Sequence, residues 1–206
     1  MTERLTGPLA RTALPLALGL VLLMQGSAQA ATSNIRIRDF LYRPDSVLIS
    51  TGDTVRWLNV GPTDHTATQN APLVWFDSGL LHAGDQFQFT FIAAGGYLFH
   101  CTLHFNMTGL VAVVPTALPP SGAQGTVFTI TVASQPAPSG FVYDIQRKDP
   151  GVPGFTDWQI GITTPSATFD STGQPTGNYS FRSRLRRLSD NISSLYSQPA
   201  TITVTP

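Results

Sequence analysis

The chain has 206 residues, and its 12 basic side chains are balanced by 12 acidic ones. Zero net charge leaves no electrostatic footprint for nucleic acid or an anionic membrane surface. Charged residues make up only 12%, while Gly and Pro number 18 and 16, which favours short strands and turns over long solvated helices.

The chain opens with export signals. Arg4 and Arg11 precede an apolar run over residues 13–24, followed by Gln25-Gly26-Ser27 and the triplet Ala28-Gln29-Ala30. A positive start, a short apolar stretch and an A-x-A site predict a signal peptide over residues 1–30, cut after Ala30. The run is well short of the ~20 residues needed to span a bilayer, so no membrane span is expected after cleavage. The mature protein is expected in a periplasm or outside the cell. A lone cysteine, Cys101, cannot form an internal disulfide, and in an exported chain a leftover thiol calls for an explanation.

Residues 34–114 hold repeated strand-like runs: IRIRDF, SVLIS, TVRWLNV, QFQFTFI, YLFHC and GLVAVV. Phe87, Phe89 and Phe91 alternate onto one face, and Gly-containing pairs punctuate the runs as turns. The stretch VVPTALPPSGAQG then reads as a connection, with residues 117–125 as its linker. A second set of strands follows: TVFTITV, FVYDIQRK, TDWQIGI, SATFD, NYSFRSRLRR and ATITVT. Each half is long enough for one small sandwich, over 31–116 and 126–206.

The chemistry gathers in GGYLFHCTLHFNMTG, residues 95–109. In YLFHC, strand parity puts Tyr97, Phe99 and Cys101 on an inward face and Leu98 and His100 on the other. His104 and Met107 follow with spacing Cys-x2-His-x2-Met, short enough to fold three side chains around one point. Thiolate, imidazole and thioether form a soft donor set. With a second imidazole they suit copper in a trigonal site with a distant axial Met. His65, in the polar turn VGPTDHTATQ, supplies that imidazole, and backbone N–H groups beside it are placed to reach the Cys101 sulfur. Singly, each of these residues has an ordinary alternative: an inert buried thiol, a gap-filling Met, a surface His. His82 and His100 are left outside the site, His82 as a solvated turn residue and His100 by its parity.

The segment FDSGLLHAGDQFQFTFIAAGGYLFHCTLHFNMTGLVAVV resembles the blue copper proteins, the cupredoxins of plastocyanin and amicyanin type. The short loop is most similar to amicyanin's. The resemblance implies a Greek-key β-sandwich with one type 1 copper ion near one end, held by His65, Cys101, His104 and Met107. It also implies that His104 presents its ring edge to solvent as the electron port, where redox proteins dock. Leu103 and Phe105, with Pro62 and Pro72, would form an apolar collar there, although ordinary loop packing accounts for them equally well. Asn106-Met107-Thr108 matches a glycosylation sequon but reads as chance beside a metal ligand.

The end of the chain, GNYSFRSRLRRLSDNISSLYSQPATITVTP, resembles a fibronectin type III domain, with Tyr179 as its corner tyrosine. The tryptophan usual in the second strand is missing from TVFTITVAS. Arg182, Arg184 and Arg186 share parity and read as a solvated outer face, or as a dock for an acidic protein or cell-surface polymer.

The expected fold class is therefore all-β: a Greek-key cupredoxin sandwich followed by a second, immunoglobulin-like sandwich. Four protein ligands leave no open coordination position, so the expected role is single-electron transfer and not catalysis. A copper carrier or buffer with the same ligands is a second reading. An adhesion or scaffolding protein with an incidental site is a third. A monomer is the expected state.

Overall fold

The computed structural model describes residues 30–206, and all its regular elements are strands. The predicted signal peptide falls outside the described residues except for Ala30. Among the described residues, no helix is long and apolar enough to cross a membrane.

The first half contains β1 (Thr32–Arg38), β2 (Leu41–Arg43), β3 (Ser46–Ser50), β4 (Thr54–Asn59), β5 (Thr68–Gln69), β6 (Gln86–Thr90), β7 (Gly95–His100) and β8 (Thr108–Val114). They form two four-stranded sheets, ordered β2-β1-β4-β6 and β3-β8-β7-β5. Alternation drives their packing. In β1, Ile35 and Ile37 point inward, and in β4, Val55 and Trp57 do. Between the sheets lies an aromatic core of Trp57, Phe76, Phe91, Tyr97 and Phe99, with Cys101 and Met107 at its edge. The parity predicted for β7 holds: Tyr97, Phe99 and Cys101 are buried while Leu98 is 41% exposed.

The second half contains β9 (Thr116–Leu118), β10 (Ser121–Ala123), β11 (Val127–Thr131), β12 (Phe141–Lys148), β13 (Thr156–Ile162), β14 (Ser166–Asp170), β15 (Gly177–Arg187) and β16 (Ala200–Thr205). A three-stranded sheet, β14-β11-β9, faces a five-stranded one, β10-β16-β15-β12-β13. Phe128, Ile130, Tyr143, Phe169, Tyr179 and Phe181 fill the space between them. The fold is thus all-β with two sandwiches in tandem, as the alternation foretold.

The stretch read as a linker over 117–125 is more ordered than its composition suggests. Its residues contribute to β9, paired with β11, and to β10, paired with β16. Both are short strands at a sheet edge, where a ladder tolerates flanking prolines.

The halves also meet through backbone. Ala94 N–H donates to Val132 O at 2.8 Å, and Ser134 N–H to Ile92 O at 2.8 Å. Gly96 and Leu195 exchange both N–H···O bonds, at 2.9 and 3.1 Å. A Cβ on Gly95 would sit 2.5 Å from Ser194 Oγ, so any side chain there would have to displace that hydroxyl. Trp75 meets Phe141 edge-on with centroids 4.7 Å apart.

Candidate metal centre

Three side chains that the sequence separates by up to 39 positions converge at one end of the first sandwich. Cys101 follows β7 and points inward because its strand parity does. His104 and Met107 lie in the loop to β8, which closes on itself. Cys101 N–H donates to Met107 O at 3.0 Å, and Asn106 takes the left-handed turn at φ 66°. Gly109 lets the chain re-enter the sheet, since any Cβ there would run into the Phe99 ring and the Asp45 carbonyl oxygen. His65 is fixed from a separate segment. Its backbone N–H and C=O both pair with Leu81, at 3.0 and 2.8 Å.

The donor atoms form a triangle. His65 Nδ1 is 3.1 Å from His104 Nδ1, and the Cys101 Sγ lies 3.4 Å from His104 Nδ1 and 3.8 Å from His65 Nδ1. A point equidistant from all three lies about 2.0 Å from each, close to the bond lengths at which imidazole and thiolate hold a metal ion. The residues therefore fit a metal, and the softness of the set fits copper. His65 is 0% exposed, Cys101 3% and Met107 2%, while His104 is only partly buried. Burial, reinforced by the neighbouring His104, pulls the His65 pKa below its ordinary value, against Asp39 and Asp64. A neutral imidazole is the form that donates to a metal.

Thr66 ties the two segments together. Its backbone N–H points at the Cys101 Sγ at 3.4 Å, the contact anticipated from the turn beside His65. Its hydroxyl accepts from Thr102 N–H at 2.9 Å, and its carbonyl accepts from the Tyr42 hydroxyl at 2.6 Å. Burial, with the Cys101 side chain nearby, pushes the Tyr42 pKa up, so the phenol remains a donor. Sequence reasoning passed over Tyr42 because β2 is three residues long and carries no visible alternation.

A metal-bound histidine usually anchors its second ring nitrogen, yet His65 Nε2 is buried without a hydrogen-bond partner. His82 and His100 lie outside the triangle, as read from the sequence. His82 pairs with Asp64 at 2.9 Å on the surface, and His100 Nδ1 meets Asn70 Oδ1 at 2.8 Å. The apolar collar is exposed: Leu103 is 53% and Phe105 96% accessible, and Pro62 and Pro72 are exposed too. Phe40, not foreseen, adds to it. It is 58% exposed and its ring stands edge-on to His104, centroids 4.7 Å apart.

The arginine stripe of β15 is spoken for within the chain. Arg184 and Arg186 both bond Asp144, at 3.1 and 2.7 Å, and Asp144 is 0% exposed. Burial alone would raise the Asp144 pKa, but donors from Arg186, Gly161 and Arg184 outweigh it and hold the carboxyl below its usual range. Arg182 bonds Gln146 and lies over Phe155 and Tyr196. Arg187 reaches across to the Leu73 and Pro72 carbonyls at 2.9 and 3.2 Å.

Among solved structures the chain is similar to a purple cupredoxin from Nitrosopumilus maritimus, at 28% identity over 39% of this chain and 98% of that one, with a TM-score of 0.38. It is also similar to amicyanin variants. One, in its reduced state, is 28% identical over 39% of this chain and 79% of its own, with a TM-score of 0.36. Another, oxidised, is 26% identical with the same coverage and a TM-score of 0.37. No family model and no curated protein matches the chain. At these TM-scores the likenesses define no fold by themselves, and the metal centre rests on its own geometry.

Proposed function

We propose that the protein is an exported blue copper electron carrier, with His65, Cys101, His104 and Met107 holding one type 1 copper ion. The single observation that carries this reading is the convergence of one thiol sulfur and two imidazole nitrogens on a point about 2.0 Å from each. Bound there, copper would supply a one-electron Cu(II)/Cu(I) couple.

The residues around it keep that couple from rearranging. Leu81 fixes the His65 backbone from both sides, and the closed 101–107 loop fixes Cys101, His104 and Met107 relative to one another. The Thr66 N–H aimed at the sulfur stabilises negative charge on it, which tunes the couple. A fourth ligand from Met107 would leave no position for a substrate, so the protein is not an enzyme on this reading. His104 is the donor nearest solvent and serves as the port. Exposed Leu103, Phe105 and Phe40 offer a small apolar contact of the kind weak redox encounters use.

The sandwiches proposed span 31–116 and 126–206, with the intervening 117–125 adding the edge strands β9 and β10 to the second, in a monomer that works in a periplasm or outside the cell. A fibronectin type III character for the second sandwich is supported by its strand order and by Tyr179, whose hydroxyl donates to Pro175 O at 2.8 Å. With its arginines engaged internally, a protein or cell-surface partner would have to use other surfaces of that sandwich.

The test is to add Cu(II) to the purified protein and record visible and EPR spectra. An intense blue thiolate-to-copper band that bleaches reversibly on reduction is the expected result. Uptake of Cu(I) alone, or loss of the thiol without stable colour, would favour a copper carrier. No stoichiometric copper in either state would leave a scaffolding role.

A further inference from the structure

The turn between β1 and β2 is built against its own sequence. Arg38 pairs with Leu41, so Asp39 and Phe40 form a two-residue hairpin loop. Both have positive φ, 26° and 70°. Such turns select Asn-Gly or Asp-Gly, because glycine takes the second position freely and a bulky residue does so at a cost. Here the second position holds phenylalanine, and that side chain is 58% exposed instead of buried in the core. It is unfavourable both for the backbone and for hydration. An outlier of this kind points to function when the side chain has somewhere to go.

It has two aromatic neighbours, both imidazoles. The Phe40 ring stands edge-on to His104 with centroids 4.7 Å apart, and 6.2 Å from His65. His65 is held by Leu81 and Cys101 by the strand end, whereas His104 sits partly exposed in a loop. A metal held at this triangle can begin to leave only where a donor has room to turn away, and His104 is that donor.

We propose that Phe40 is a positioning residue that pins the His104 ring toward His65 and so slows release of the metal. The proposal rests on the copper reading and deepens it. A slow exit is what separates an electron carrier from a copper donor, so pinning by Phe40 favours the former.

Phe40→Gly restores the residue the turn prefers, so the two effects part company. The metal-free variant should melt no lower than wild type. Its His104 ring resonances should move as the Phe40 ring current is lost. Loaded with Cu(I), it should give up the metal to a chelator roughly three- to tenfold faster, the range expected for losing one aromatic pair. Phe40→Tyr, which keeps the ring, should release copper at the wild-type rate.

Release from Phe40→Gly at the wild-type rate would overturn the proposal. So would a metal-free melting temperature several degrees lower, which would make Phe40 a residue of the fold. If wild type binds no copper, the electron-carrier reading falls, and pinning is judged on the metal-free protein. There, His104 resonances unmoved by Phe40→Gly would overturn it too.

Discussion

The two sandwiches treat their buried polar groups in opposite ways. In the second, Asp144 is fully enclosed and receives donors from Arg184, Arg186 and the Gly161 N–H. The Asp144 carboxylate is matched by two guanidinium groups of this same sandwich, and the cluster needs nothing from outside. In the first, two imidazole nitrogens and a sulfur face one another across 3.1–3.8 Å, and the second nitrogen of His65 has no partner. Three such atoms around one point are the donor set that a bound cation needs. A closed network marks structure, and an open convergence marks a site.

The largest effect should come from breaking the open cluster. Cys101→Ser removes the soft donor, so the blue band should vanish. Copper affinity should fall by more than the 10–100-fold typical of losing a group behind a ligand, as read by competition with a chelator. The metal-free fold should persist.

Breaking the closed cluster should do the reverse. Asp144→Ala strands two largely buried guanidinium groups, 30% and 16% exposed. Urea unfolding should show a loss of about 3 kcal/mol, with the copper spectrum unchanged. Acid sharpens the point. The Asp144 pKa is depressed in the folded state, so its stabilisation is complete above its unfolded value near 3.8 and is lost as pH falls through the lower folded value. The gap between wild type and Asp144→Asn should hold constant from pH 7 to about 5 and close only below about 3.8.

Thr66→Val probes the boundary between the two behaviours. It removes a hydroxyl that accepts from Thr102 N–H but leaves the backbone N–H on sulfur. About 1–2 kcal/mol of stability should go, with only a modest shift of the blue band. The smallest effect belongs to Tyr179→Phe, which deletes one hydrogen bond to Pro175 and should cost about 1 kcal/mol in the same unfolding assay.

These contrasts were unequally visible in the sequence. Cys101, His104 and Met107 announce themselves because one short loop carries them, and β7 parity fixed which way the thiol points. The β strands with clear alternation were also legible. Asp144 was not, because FVYDIQRK gives no hint that its aspartate lies opposite Arg184. That pairing is a matter of register between β12 and β15. The arginine parity was read correctly, yet the face it defines is occupied from another strand. Phe40 was hidden for a different reason. IRIRDF reads as one continuous strand run, and Asp-Phe carries no turn signature, since phenylalanine stands where glycine would mark the turn. The edge strands β9 and β10 were masked by the prolines beside them.

The seam where Gly96 and Leu195 exchange hydrogen bonds, and where Arg187 grips two carbonyls of the first sandwich, has a mechanical meaning. It gives the pair of sandwiches no free joint, so they should tumble as one body. A partner that docked at the ligand loop would then meet the second sandwich at one fixed bearing, set by those contacts and not by a swinging linker.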